Sequence, residues 1–327
     1  MLKVENFLHE QGILVQNKKV LVALSGGPDS TALVIILCLL RQRLGLDVEA
    51  LYLNHGLREE SVDEEVFVKK LGTIWKFPVT ILKTKIKLLA TKTHSGIEEC
   101  SRRLRYLVLK RFLIKQKCHY IALGHQLNDL AEDVLLRMLR GAGWPALGGM
   151  DAYREKEKII RPLLFLTKQE IEQFLGLLKQ NYCVDKSNFE LNVLRNRVRH
   201  TILPLFCAEN PSFLKNIYRL WQLSQIDKKD FNFKISLLGD VQKGRSLFLA
   251  RERLDCFLPG ERLRIYAYFL NQLGTGQVLS ENLFKLEQCF KQKAKNKKIQ
   301  FPGNKMAIVN KRGVFLLKKE KSYGNKK

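Results

Sequence analysis

The chain has 327 residues, 46% of them hydrophobic, and 57 Lys and Arg against 32 Asp and Glu give a net charge of +25. That apolar fraction supports folded cores and excludes wholesale disorder, and the longest uncharged apolar run, Ala32–Leu40, is nine residues, against about 20 for a membrane-spanning helix. Seven scattered cysteines without a CxxC pair, and an N-terminus that carries acids and no long apolar core, predict a protein of the reducing cytoplasm and exclude a secretory signal, a disulfide framework and structural zinc.

A short amphipathic segment around Leu2, Phe7 and Leu8 opens the chain. Residues 18–25 (KKVLVALS) read as a buried strand ending in a Gly-rich turn, followed by a helix from about Ser30 to Leu44. Residues 47–56 and 78–86 read as second and third strands, with a helix from the acidic run at Glu59 through Ile74 between them; Ile97–Gln116 is a helix, 119–125 a fourth strand and Asn128–Leu139 another helix. Such alternation, with strands too apolar to face water, predicts an α/β fold with a Rossmann-like parallel sheet covered on both sides. Right-handed crossovers place all strand C-terminal ends on one rim, bringing Ser25–Ser30, Asn54–Gly56 and Gly124–Asp129 together. Beyond Pro162 helices take over: Thr167 caps KQEIEQFLGLLK, Asn192–Leu203 runs on to Pro204, and residues 210–232 form a connecting helix. The last hundred residues, with strand-like segments at 245–250 and 298–318, turns at Pro302–Asn304 and Lys311–Gly313, and helices opening after Pro259 and at a Ser280 cap, predict a small α+β domain. We therefore divide the chain into a catalytic domain over residues 1–215 and a helical linker with a C-terminal domain over 216–327.

The charge is uneven. Residues 1–100 hold 13 basic against 12 acidic side chains, residues 101–327 hold 44 against 20, and residues 285–327 alone hold 14 against 2. A solvated lysine-rich face is the plain reading; a polyanion partner, above all nucleic acid, accounts better for the asymmetry, because neutralising phosphates releases counterions.

Ser25-Gly26-Gly27-Pro28-Asp29-Ser30 sits between a strand and a helix. Its glycines let backbone N–H groups approach a phosphate, the helix start adds a positive dipole end, and Ser25 and Ser30 add hydroxyls. No lysine follows the glycines, so this is not the loop of gamma-phosphate transfer. Asp29 among phosphates suits a bridging divalent cation or a helix cap. The hexapeptide resembles the PP-loop ATP pyrophosphatases. Asn54-His55-Gly56-Leu57-Arg58, Glu99…Arg102…Arg105-Tyr106, Gly124-His125…Asp129…Glu132, Arg161-Pro162-Leu163-Leu164, Asp185…Ser187-Asn188 and Arg195-Asn196-Arg197 follow in the order of the tRNA(Ile)-lysidine synthetase family.

That resemblance implies a cytoplasmic ATP-dependent carbon–nitrogen ligase that joins free L-lysine to the carbonyl carbon of the wobble cytidine of a tRNA(Ile) with a CAU anticodon. The cytidine would be adenylated first, and AMP and pyrophosphate released. It implies ATP held by Ser25, Gly26, Gly27, Pro28, Asp29, Ser30 and His55, and Mg2+ at Asp29. Asp29, His125 and Asp129 would be catalytic, Asp129, Glu132 and Arg197 would hold lysine, and Arg102, Arg105 and Arg195 would meet tRNA. Acids that hold an ammonium beside an arginine that holds a carboxylate make chemical sense for an amino-acid substrate. Asn128 and Asp133 depart from the family pattern, which puts metal binding at Asn128 in question and offers Asp133 as its substitute. A homodimer is the assembly left open. The rivals are another PP-loop tRNA base-modifying enzyme such as a thiolase, for which none of the cysteines forms the expected pair, and a non-catalytic RNA-binding protein, which explains the charge but not Asp129, Glu132 and Arg197.

Overall fold

The computed structural model describes residues 1–54, 56, 61–84, 86, 91, 96–183, 193–236, 238, 246–276 and 278–319. They form two compact units, residues 1–226 and 227–327.

The first unit opens with α1 (Leu2–Glu10) and β1 (Lys19–Leu24), followed by α2 (Pro28–Leu44), β2 (Asp47–Asn54), α3 (Ser61–Ile74), β3 (Val79–Lys83), α4 (Ile97–Lys115), β4 (Tyr120–Ala122) and α5 (Leu127–Leu139). Then come β5 (Tyr153–Arg154), β6 (Ile159–Ile160), α6 (Lys168–Leu177), α7 (Leu194–Arg197), a π-helical turn over Val198–Ile202 and α8 (Leu203–Glu209). Six strands make one sheet in the order β3-β2-β1-β4-β6-β5, parallel except for β5. The parallel sheet read from the sequence is present; the β5–β6 hairpin at its edge is an addition, made of strands too short to leave a pattern in the sequence.

Both faces of β1 are buried, which is why it reads as continuous apolar sequence. Val20, Val22 and Leu24 pack against α1, α2, α3 and α6, whereas Leu21 packs with Leu51, Ile121 and Ile159 against Leu109 and Leu113 of α4. Helix α2 is buried on every side from Ser30 to Leu37, so it shows no polar stripe. It starts two residues earlier than the sequence suggested, because Pro28 supplies the helical φ and lacks only an N–H that the first turn cannot use. Asp29 and Ser30 thereby become first-turn residues. Thr167 caps α6 as expected, with Glu170 returning the bond to the Thr167 backbone N–H at 2.8 Å.

The division between the units falls within α9 (Phe213–Ser236): Trp221 lies in the core of the first unit, and Phe231 and Ile235 pack on the core of the second. The second unit continues with β7 (Ser246–Ala250), α10 (Arg251–Asp255), α11 (Pro259–Gln272), α12 (Ser280–Lys291), β8 (Lys297–Phe301), β9 (Lys305–Asn310) and β10 (Gly313–Lys318). Its antiparallel sheet has the order β7-β10-β9-β8. Gly303 in the β8–β9 turn has φ +82°, and a Cβ there would sit 1.7 Å from the Thr275 carbonyl oxygen, so only glycine fits. The buried Lys305 beside it donates to the Gly276 carbonyl at 2.7 Å.

Candidate active site

The rim at the C-terminal ends of β1 and β4 gathers the first set of groups. Between β1 and α2 the chain reverses through Gly26, at φ +80°. The hydroxyls of Ser25 and Ser30 lie 3.0 Å apart, the Ser25 N–H donates to Ser30 Oγ at 3.1 Å, and Ser30 Oγ donates to the Gly27 carbonyl at 3.2 Å. From behind, the Cys183 N–H donates to the Gly26 carbonyl at 2.9 Å and Thr31 Oγ1 donates to the same oxygen at 3.2 Å. The loop is thus fixed through its carbonyls, as a pre-formed anion cradle at a helix N-terminus requires. Gly124 at the end of β4 runs against it so closely that a Cβ would lie 3.0 Å from Asp29 C and Ser30 N.

Asp29 is the irregular member of the loop. Its Oδ1 is buried and has no hydrogen-bond partner among the described residues. Burial, and then the neighbouring Asp129 carboxylate, push its pKa up to about 7 against the pull of Arg199 and Lys168. A desolvated carboxylate oxygen next to another acid is a place that a cation would relieve. One carboxylate with substrate phosphates is also how Mg2+ is commonly held, so the residues fit that ion.

The second set comes from α5 and the helical turns after residue 193. Gln126 caps α5, with the Asp129 carboxylate accepting the Gln126 N–H at 3.1 Å. Asp129 and Glu132, three residues apart, share one helix face, and both are buried. Arg199 donates through Nε to Glu132 Oε1 at 2.6 Å and through Nη2 to Asp129 Oδ1 at 2.9 Å; Arg195 donates through Nε to Glu132 Oε2 at 3.1 Å. Two buried acids are therefore balanced by two guanidinium groups, each still about a third exposed.

His125 has a fixed chemical state. Arg161, buried between β6 and α6, donates through Nε to His125 Nδ1 at 2.9 Å and through Nη1 to the Asp151 carbonyl at 2.6 Å. A nitrogen that accepts from guanidinium carries no proton, so the ring proton sits on Nε2. Burial, with the charges of Arg161, Arg195, Arg102 and Arg105, holds the His125 pKa down at about 3. The imidazole is a neutral donor through Nε2, aimed by Arg161.

This geometry can be set beside known proteins. A family model described as a PP-loop domain matches residues 2–206. The tRNA(Ile)-lysidine synthase of Nitratidesulfovibrio vulgaris is 38% identical over 329 residues, covering 94% of this chain and 94% of its own. The chain belongs to the tRNA(Ile)-lysidine synthase family.

Other tRNA(Ile)-lysidine synthases agree: that of Petrotoga mobilis is 30% identical over 80% of this chain and 83% of its own, and that of Thermosipho africanus 35% over 76% and 61%. Among solved structures, the U34-tRNA thiolase NcsA from Methanococcus maripaludis, with its iron–sulfur cluster, superposes with a TM-score of 0.57 at 21% identity, over 68% of this chain and 76% of its own. That likeness is one of fold. Among the described residues no group of three or more His, Cys, Asp or Glu could hold a metal ion, and all seven cysteines are free thiols.

Of the residues expected at the site of a tRNA(Ile)-lysidine synthase, the structure brings together Ser25–Ser30, Asp29, His125, Asp129 and Glu132. Arg102 and Arg105 are exposed on α4, with their charges felt at His125. Arg195, expected on tRNA, pairs with Glu132, while Arg197, expected on lysine, is exposed between Arg195 and Arg199. His55, Asp185, Ser187 and Asn188 lie outside the described residues. Asp133, the substitute considered for Asn128, accepts from Arg137 Nε at 2.9 Å along its own helix. Asn128 instead anchors α6, its side-chain oxygen accepting the Lys168 N–H at 3.0 Å. Sequence reasoning named Arg161 and Gly124 only within motifs and gave no role to them or to Arg199. The spacing of Arg195 and Arg199, four apart and so on one helical face, was the available signal for Arg199.

Proposed function

We propose that this chain uses ATP to ligate free lysine to the wobble cytidine of a CAU-anticodon tRNA(Ile), with Asp129 and Glu132 as the lysine-ammonium site. The buried acid pair beside Asp29, at the edge of the phosphate cradle, carries this reading: two carboxylates there are suited to receive an ammonium close to the nucleotide. The backbone N–H groups of the Gly26–Ser30 turn and the Ser25 hydroxyl bind the phosphates, and Asp29 would hold Mg2+, which would supply charge neutralisation when bound.

The cytidine carbonyl oxygen attacks the alpha phosphorus, the bond to pyrophosphate breaks, and the ring carbon acquires a good leaving group. The lysine ε-amine, having lost its proton, then attacks that carbon, and the carbon–oxygen bond breaks to release AMP. His125 donates its Nε2 proton in a hydrogen bond to the nucleotide or the cytidine; because Nδ1 already accepts from Arg161, His125 is not the base that deprotonates lysine. Arg195 and Arg199 pair with the acids before lysine arrives, and the entering ammonium takes over part of their contacts. Arg197 is assigned the substrate carboxylate. Arg102 and Arg105, with the basic second unit, receive tRNA phosphates, and the seven free thiols suit a cytoplasmic setting.

The test is an assay with ATP, labelled lysine and a transcript of the CAU-anticodon tRNA(Ile). Label should enter the wobble base only when ATP is present, with AMP and pyrophosphate formed. ADP as product, or label entering without ATP, would overturn the proposal.

A further inference from the structure

In the sheet of the second unit, Leu247, Leu249, Val314, Leu316, Ala307, Val309, Ile299 and Phe301 alternate into the core. The intervening residues point to the other face, where an antiparallel sheet normally shows polar side chains to water. Here one row across all four strands reads Phe248, Phe315, Ile308, Lys298, each directly opposite the next in register. The Phe248 and Phe315 rings lie 4.3 Å apart, tilted by 32°, and Phe248 is 39% exposed. None of the four strands contains an acid, and residues 285–327 hold 14 basic side chains against 2 acidic ones.

We propose that this face is a base-stacking platform for an unpaired stretch of the tRNA, with Phe248 and Phe315 meeting base faces and Lys298 a phosphate. The proposal rests on the reading that tRNA is the substrate. Aromatic rings take any base because every base has a π-face, and a lysine at the end of the row gives the backbone a counter-charge. Paired bases in a stem hide their faces, so a loop or an end is the fitting ligand. With strands about 4.8 Å apart, the row spans about 15 Å, enough for two or three bases. It is small against the roughly 800 Å² per partner of a stable protein interface. An acid-free, lysine-flanked strip of this width suits RNA better than a second protein surface.

The experiment uses the full chain and measures tRNA(Ile) binding over a range of salt concentrations, with far-ultraviolet circular dichroism and the thermal melt of each variant as the check that both units are folded. The double variant Phe248→Leu, Phe315→Leu keeps an apolar sheet face and removes the rings. It should weaken tRNA binding about tenfold or more with the salt dependence unchanged, while Phe248→Tyr binds like the parent. Lys298→Gln should weaken binding less and lower the salt slope by about one phosphate. A double variant that binds tRNA as the parent does overturns the platform and leaves the substrate reading intact; a parent chain that binds no tRNA at low salt overturns the substrate reading itself. A parent that light scattering shows to be a dimer, and that the leucine changes make monomeric, would assign the face to a second copy and also overturn the proposal.

Discussion

Replacing Glu132 by glutamine keeps its shape and deletes one charge. The side chain is 1% exposed and accepts from Arg199 Nε at 2.6 Å and Arg195 Nε at 3.1 Å. Removing one partner of a fully buried ion pair costs about 3–5 kcal/mol. Both arginines keep about a third of their surface in water and retain Asp129 nearby, so the cost falls to about 2 kcal/mol once that screening is counted. At about 2–4 °C per kcal/mol for a unit of this size, the melting temperature drops by roughly 4–8 °C. Adding Arg199→Gln should recover part of the loss, since the stranded guanidinium goes with it.

In turnover, a charge-assisted bond to an ammonium contributes about 1.5–3 kcal/mol, so the KM for lysine should rise roughly 10–100-fold. The first half-reaction does not involve lysine and should keep its rate. Pyrophosphate release from ATP and tRNA without lysine, followed by label incorporation against lysine concentration, separates the two steps in one preparation. If pyrophosphate release falls in step with ligation, or the lysine KM stays within about twofold of the parent, Glu132 does not hold the amino acid.

Three further outcomes follow from the same geometry. His125 has a folded-state pKa of about 3 against an ordinary 6.5, so the unfolded chain takes up the proton between these values. The stability of the neutral ring is complete above about pH 6.5 and lost as pH falls toward 3, about 2 kcal/mol of it by about pH 5. In urea melts the stability difference between the parent and His125→Gln should therefore shrink by about 2 kcal/mol from about pH 7 to about pH 5; a constant difference would show that the imidazole is not held neutral. Gly124→Ala, whose Cβ would press on Asp29 and Ser30, should slow pyrophosphate release about tenfold or more, whereas Gly176→Ala, with nothing within 4 Å, should leave turnover intact and stabilise α6 by about 0.5–1 kcal/mol; equal activity in the two would remove the claim that Gly124 shapes the cradle. Asp29, held up at about 7, has to lose its proton to take a cation. Mg2+-dependent ATP binding should therefore strengthen as pH rises through about 7, with a proton released, and calorimetry that gives the same heat in buffers of different ionisation enthalpy would contradict this.

Much of the site was legible because its chemistry is local. Ser25–Ser30 announces itself between an apolar strand and an apolar helix, and the three-residue spacing of Asp129 and Glu132 already fixes a shared face. Thr167 with Glu170 marks a helix start through a rule confined to one turn. What escaped depends on distance. Arg199 meets Glu132 across 67 residues of sequence, and Arg161 reaches His125 across 36; no periodicity within either segment encodes such a pairing. Gly124 was read only as part of a motif, because the need for glycine arises from the backbone of another element. For Asp133 the acidity was visible, while its partner Arg137, one turn on, was not weighed. The charge asymmetry toward the C-terminus was plain in the sequence, whereas the alignment of Phe248, Phe315, Ile308 and Lys298 exists only through strand register.

The central claim is that the cytidine carbonyl oxygen is first joined to the alpha phosphate of ATP and then leaves with AMP. A tRNA carrying heavy oxygen at the carbonyl of the wobble cytidine tests this directly, by mass spectrometry of the nucleotide formed in a single turnover with lysine. The heavy atom should appear in the phosphate of AMP, one per lysine incorporated. Heavy oxygen that stays in the tRNA or passes into water, with AMP unlabelled, would contradict the account.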